Sequence, residues 1–381
     1  KALGDTARFI NGAAFKPTDW CDGGLPIIRI QNLTGTGDKF NYTSRQVKPE
    51  LVVEPGDLLV SWSATLDVYR WGGPRGLLNQ HIFKVLPKPG IDPDYLYYAL
   101  KSALAELSSK THGSTMKHVV RGDFESTRVR IPSLPEQHRI VDLLSRAEGI
   151  VRLRREAEKK AAELIPALFL DMFGDPAMNP KGWPVRKVAD FVSRFEGGKN
   201  IQAGSENGSA YRILKVSAAT SGVYRESESK PAPDGYDPPT VHIVRTGDML
   251  FSRANTEELV GATAIVSSTN GKTLLPDKLW RFVWAEPVEP SYMHALFQSP
   301  YVRRELGKLS SGTSASMRNI SQGKLFNLRL PVAPHGNQKD FAERATLIHS
   351  IKSQQAAATA KAQGTFDGYC RDCSQKPHLD E

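Results

Sequence analysis

The stretch from Leu134 to Pro176 constrains the fold of this chain more than any other: LPEQHRIVDLLSRAEGIVRLRREAEKKAAELIPALFLDMFGDP. Ile140, Leu144, Ala147, Val151, Ala161, Ile165, Leu168 and Met172 recur in an alternating four-three register, interrupted only at Arg154 and Glu158. Such a register lays one apolar seam along a helix and turns it toward a partner helix. The rest of the surface carries Arg146, Arg152, Arg154, Arg155, Lys159 and Lys160. At about 1.5 Å per residue, a helix from Ile140 to Met172 is roughly 50 Å long. That is too long to wrap inside a small domain, so the stretch reads as a strut. Pro166 lacks an N–H and is expected to kink or interrupt it. Gly174-Asp175-Pro176 is a strong stop signal.

What flanks the strut is duplicated. Residues 1–133 are short segments punctuated by Gly and Pro, with strands expected at Leu25–Ile30, after the Pro55-Gly56 turn, at His81–Pro87 and at Val129–Pro132. A helix is expected from Asp94 to Lys110. Residues 177–333 repeat this order. Gly247-Asp248 echoes Gly56-Asp57, and Leu274–Val283 echoes Leu77–Val85. Pro290-Ser291-Tyr292 echoes Pro93-Asp94-Tyr95, Gly312–Ile320 echoes Gly113–Val119, and Leu328–Pro331 echoes Val129–Pro132. The offset stays at about 190 to 200 residues, which marks an internal duplication. A second helical stretch follows Pro334, with Gln338 near the position of Gln137. Two long helices, each leaving an equivalent globule, can pack antiparallel.

The chain has 381 residues, with 50 basic against 41 acidic side chains and a formal charge of +9. That excess favours a polyanionic partner. No run has the apolar length of a membrane helix, and three cysteines are too few for a disulfide framework, so a cytoplasmic protein with no membrane partner is expected. Sequence signatures of catalysis are missing. There is no GxxxxGK[ST] loop, no HExxH helix and no GxSxG elbow. Asp237-Pro238-Pro239 resembles the start of an amino-methyltransferase motif, but Thr240 follows where an aromatic must stack the flipped base. Cys370 and Cys373 lack a second ligand pair and fall in what reads as a polar tail. No cofactor and no metal are expected.

The tandem layout points instead to binding. Loops follow the equivalent strand in each half: Ser61, Ser63 and Thr65 in the first, Ser252, Arg253 and Asn255 in the second. A later loop in each half carries Thr115, Lys117 and His118, or Ser316, Arg318 and Asn319. Gln80 and Lys278 open the strand between them. Hydroxyl, amide and basic side chains are the types that bond phosphates and read base edges. All fourteen are candidate DNA-binding residues, with ordinary polar loops as the plain alternative.

The chain resembles the specificity subunit of type I restriction–modification systems. Leu134-Pro135-Glu136-Gln137-His138-Arg139-Ile140, the run Leu168–Pro176, the Gly56-Asp57 strand, the Gly113 and Gly312 loops and the duplication carry the resemblance. The second helix departs from it, opening Val332-Ala333-Pro334-His335-Gly336-Asn337-Gln338. The resemblance implies an α+β chain: two similar α/β target recognition domains separated by two long antiparallel helices, a coiled-coil-like spacer with pseudo-twofold repeat. The expected domains are residues 1–133 and 177–333, with spacer helices at 134–176 and 334–364 and a polar tail at 365–381. It also implies a non-catalytic subunit whose domains each read half of a bipartite site in double-stranded DNA. Two methyltransferase subunits would bind it and methylate adenine at N6 from S-adenosylmethionine, and ATP-using restriction subunits would add to that complex. The competing readings are a fragment of a single-chain restriction or methylation enzyme and a repeat adaptor that binds only protein.

Overall fold

The computed structural model describes residues 1–37, 39–63, 65–110, 121–206, 208–314 and 317–374. It divides into two compact units: Lys1–Glu156 with the C-terminal stretch from Ala356, and Ala157–Gln355.

The strands of unit 1 are β1 (Ala7–Asn11), β2 (Leu25–Ile28), β3 (Asn41–Thr43), β4 (Val52–Val53), β5 (Leu58–Ser61), β6 (Asp67–Arg70), β7 (Gly76–Leu78) and β8 (Ile82–Pro87). They make an antiparallel sheet in the order β1-β8-β5-β6 and a second sheet, β3-β2-β7-β4, in which β2 and β7 run parallel. All four residues of β5 are buried, as suits a central strand covered on both faces. The helix Pro93–Lys110 buries Tyr95, Leu96, Tyr98, Ala99, Leu100, Ala103 and Leu104 in the core shared with Phe9, Val60, Phe83 and Val85.

Unit 2 repeats the plan. Its strands are β9 (Val185–Lys187), β10 (Val192–Gly197), β11 (Arg212–Leu214), β12 (Ser229–Pro231), β13 (Met249–Ser252), β14 (Ala254–Asn255), β15 (Thr263–Ile265), β16 (Thr273–Leu274), β17 (Leu279–Trp284), β18 (Ser311–Ser314), β19 (Met317–Asn319) and β20 (Arg329–Pro331). The sheet β10-β17-β13-β15 matches β1-β8-β5-β6 strand for strand, and β12-β11-β16 again joins its last two strands in parallel.

The repeated Gly-Asp pair acquires a physical reason here. Gly56 and Gly247 take φ of 95° and 89°, the left-handed conformation that a side chain disfavours. The next residue turns back and bonds the chain: Asp57 accepts from the Glu54 N–H at 2.7 Å, and Asp248 from the Arg245 N–H at 2.8 Å. Each then pairs with a cation on the neighbouring central strand, Lys84 at 2.6 Å and Arg281 at 2.9 Å. Arg281 also meets Glu196 at 2.5 Å and donates to the carbonyls of Val241 and Ile243. Burial opposes the Arg281 charge, but the bonds and charges of Asp248 and Glu196 outweigh it and raise its pKa above the ordinary arginine value.

The central helix, Leu134–Phe173, is continuous, with Pro166 inside it; the expected interruption does not occur. Gly174, at φ 76°, closes it. This helix belongs to unit 1 through Glu156 and to unit 2 thereafter, while the C-terminal helix, His335–Ser374, belongs to unit 2 through Gln355 and then to unit 1. Within unit 1, Ile140, Leu144 and Val151 share a core with Phe366 and Cys370, and Arg155 donates to Gln363 at 2.8 Å. Within unit 2, Phe169 and Phe173 meet Phe341 at ring-centroid distances of 5.9 and 5.7 Å.

A buried glutamine fastens each helix to its own unit. Gln137 donates to the carbonyls of Gly90 (3.1 Å) and Pro132 (2.9 Å) and accepts from the Asp92 N–H (2.8 Å). Gln338 donates to the Ala333 carbonyl (2.8 Å) and accepts from the Glu289 N–H (3.1 Å).

Two expectations are corrected. The C-terminal helix continues ten residues past Gly364, so residues 365–374 are no polar tail: Phe366 and Cys370, one turn apart, are 2% and 5% exposed in the unit 1 core. Residues 375–381 lie outside the described residues. Val129–Pro132 is not a strand. Its neighbour is Lys1–Ala2, which makes one bridge to Arg128 and turns helical at Leu3, whereas β20 has the whole of β9 to pair with. No helix among the described residues is long and apolar enough to cross a membrane.

Candidate nucleic-acid interface

In unit 2 the sequence-selected residues converge. β13 ends at Ser252, after which Arg253 leads into β14. β14 pairs antiparallel with β19, setting Asn255 opposite Arg318 and Ala254 opposite Asn319. β19 folds back on β18, so a hairpin stands where a loop was expected. Gly312 permits that fold, since a Cβ there would come within 2.2 Å of the Met317 carbonyl oxygen. Arg253 donates through Nε to the Asp277 carbonyl at 2.8 Å and lies 5.5 Å over the Trp280 ring, and its N–H bonds the Lys278 carbonyl. Ser252, Arg253, Asn255, Lys278, Arg318 and Asn319 thus form one patch, beside the exposed Met317. Ser316 lies outside the described residues.

In unit 1 the equivalent end of the sheet is built from the turn after β5 and the turn before β8, which meet because Ser61 pairs with Ile82. The Trp62 N–H donates to the His81 carbonyl at 3.2 Å. Its indole lies 5.0 Å from the His81 ring and donates to Asn11 Oδ1 at 3.3 Å. His81 holds a φ of 73°, unusual for a residue with a side chain. Ser63 is half-buried; Thr65 and Gln80 are exposed. Thr115, Lys117 and His118 lie outside the described residues.

The serines that end the two strands are corrected. Ser61 and Ser252 are both fully buried. Ser61 Oγ donates to the Thr65 and Asp67 carbonyls, and Ser252 Oγ accepts from Asn255 Nδ2 at 3.3 Å. A hydroxyl at a strand end satisfies the turn that follows it, and these two brace the loops from within the fold. Asn255 is partly committed too, since its Oδ1 accepts from the Thr256 N–H at 2.8 Å. Of the remaining candidates, Thr65 and Gln80 are exposed in unit 1, and Ser63 in unit 1 and Lys278, Arg318 and Asn319 in unit 2 are partly exposed. Trp62 and Trp280 are core-facing aromatics, as their ring contacts with Phe83 and with Phe195 and Phe251 show. Sequence reading passed over Glu257, whose carboxylate holds Arg318 at 3.1 Å, and Arg303 and Arg304, whose helix runs beside the patch. An Arg-Arg pair on an amphipathic helix was the available signal. Among the described residues no His, Cys, Asp and Glu side chains group as metal ligands, and Cys370 is a core thiol.

Known proteins resemble this chain in sequence and in fold. Residues 1–163 match the family model described as the type I restriction modification DNA specificity domain. The type I restriction enzyme MjaVIII specificity subunit of Methanocaldococcus jannaschii is 25% identical over 370 residues, covering 92% of this chain and 85% of the relative. The EcoEI specificity subunit of Escherichia coli is 27% identical over 236 residues, which span 61% of this chain and 39% of that protein. Among solved structures, the S subunit of the type I restriction-modification system from M. genitalium aligns with a TM-score of 0.53 at 11% identity, covering 99% of this chain and 96% of that one. A chain from a structure addressing complex assembly and conformational transition of the type I R-M system aligns with a TM-score of 0.60 at 15% identity, covering 98% and 96%. At those identities the likeness shows the fold.

Proposed function

We propose that this chain is a specificity subunit of the type I restriction–modification kind and that it reads a bipartite site in double-stranded DNA, one half with each unit. Ser63, Thr65 and Gln80 meet bases or phosphates in one half-site, and Lys278, Arg318 and Asn319 in the other. Phosphate contacts set register and the amide and hydroxyl groups discriminate bases. The observation that carries this reading is the recurrence of a polar edge at the same end of the same four-stranded sheet in both units.

The helical pair sets the distance between half-sites and docks two methyltransferase subunits, which methylate adenine at N6; restriction subunits complete the complex. Exposed apolar side chains support two docks of one kind. Leu143, Ile150 and Leu153 are 48, 51 and 57% exposed in unit 1, and Leu347 and Ile351 are 67 and 47% exposed in unit 2. Counted from Gln137 and Gln338, Ile150 and Ile351 are the same position of the repeat.

The test is selection of bound duplexes from a split-site library, with the methyltransferase partner supplied. Enrichment of two short motifs at fixed separation is expected, and enrichment of none refutes the reading. Inserting four residues near Arg154, about one helical turn, is expected to change the preferred separation; an unchanged separation refutes the spacer role.

A further inference from the structure

Beside the patch in unit 2 lies an open groove of about 530 Å³, lined by Glu257, Glu258, Arg303, Arg304, Lys308 and Arg318. Arg303, Arg304 and Lys308 stand on the helix Pro300–Leu309, whose rotation is set by the fully buried Val302 and Leu306. The cations are unevenly matched. Lys308 is held by Glu305 at 2.7 Å and Arg318 by Glu257 at 3.1 Å. Arg303 donates to the Glu258 carbonyl at 2.7 Å, but its Nη1 is buried without a partner, and neither it nor Arg304 has an ion pair among the described residues. A half-buried arginine with no ion pair projects positive potential into the groove.

Glu257 is the loosely held member: its side chain is 59% exposed and its bond to Arg318 bridges one wall of the groove. A carboxylate on a guanidinium offers the same anionic oxygens that a phosphodiester does. The repeat adds an independent observation. Counted from Tyr95 and Tyr292, unit 1 has Glu106 and Leu107 where unit 2 has Arg303 and Arg304. The framework is duplicated and these charges are not.

We propose that this groove is a phosphodiester clamp peculiar to the second unit. Arg304 and Arg318 grip a backbone phosphate of the DNA strand passing the β14–β19 patch, Arg303 supports them from beneath, and Glu257 keeps the phosphate's place in the free protein. The proposal rests on the DNA-reading function above. It makes the grip on DNA asymmetric, with sequence-independent anchoring through unit 2.

The test is fluorescence anisotropy of the full chain with a labelled mixed-sequence duplex across a range of salt. Arg304→Gln, an exposed change, is expected to weaken binding and to reduce the slope of log affinity against log salt by about 1, one phosphate contact. Glu257→Gln is expected to tighten binding by about two- to fivefold, the size of a surface ion pair removed. If the native chain binds with a steep salt slope and either variant leaves its parameter unchanged, the clamp is wrong and the DNA-reading function stands. If the native chain shows no salt-dependent binding at all, the DNA-reading function falls, and the clamp with it.

Discussion

Replacing Gln137 by methionine isolates the fastening between the central helix and unit 1. Methionine keeps the volume of the side chain, so packing is nearly conserved and the loss is that of hydrogen bonds. Gln137 makes three, to Gly90, Pro132 and Asp92, and is 0% exposed. At about 1 kcal/mol net for each neutral bond, the change costs about 3 kcal/mol. Gln338 makes the two corresponding bonds to Ala333 and Glu289, so Gln338→Met costs about 2 kcal/mol. The freed groups include the Asp92 and Glu289 N–H, which gives each variant a local reporter. Hydrogen exchange at Asp92 should accelerate about 150-fold in Gln137→Met, and at Glu289 about 30-fold in Gln338→Met, each factor being the cost converted to an opening constant. An acceleration under tenfold at Asp92, or equal acceleration at Asp92 by the two variants, refutes the reasoning. In the first case the bonds do not hold the helix; in the second the two fastenings are not local to their units.

Other consequences are expected from buried charge and exposure. Arg281→Met strands Asp248 and Glu196 and should lower unfolding stability by about 3 to 5 kcal/mol in urea titration, more than Lys84→Met, which strands Asp57 alone. Burial, with His349 adjacent, lowers the His294 pKa to about 4. The unfolded chain therefore takes up a proton near pH 6.5 that the folded chain refuses, so stability is full above that pH and falls toward pH 4 by up to about 3 kcal/mol. Thermal melts across this range check it, and a flat profile in His294→Asn would locate the effect. Thiol labelling of the native protein followed by mass spectrometry should modify the exposed Cys21 and spare the buried Cys370 until denaturant is added.

The spacer helix was legible because its seam repeats over many turns, and Ile140, Leu144, Val151 and Ala161 are indeed buried. Its continuity through Pro166 was not legible, because whether neighbouring packing carries a helix past a missing hydrogen bond is a tertiary matter. The end of the C-terminal helix was misjudged for a related reason. Phe366 and Cys370 stand in a largely polar segment, and what makes them core is the Tyr98 side of unit 1, far away in sequence. The candidate site divides the same way. Residue type and repeat position located the Arg318 and Asn319 segment, but a serine's sequence neighbourhood says nothing about which way its hydroxyl points, so Ser61 and Ser252 were included although they are buried turn braces.

By itself, then, the sequence determined the duplication, the paired helices and the strands around Gly56-Asp57 and Gly247-Asp248, because periodicity and backbone-demanding glycines act locally and leave marks in residue order. The tertiary structure alone decided which polar side chains are exposed, and that Arg303 Nη1 is buried without a partner while Arg318 is held by Glu257. Exposure and charge pairing depend on residues brought together from β14, β19 and the helix Pro300–Leu309, and no spacing along the chain encodes that meeting.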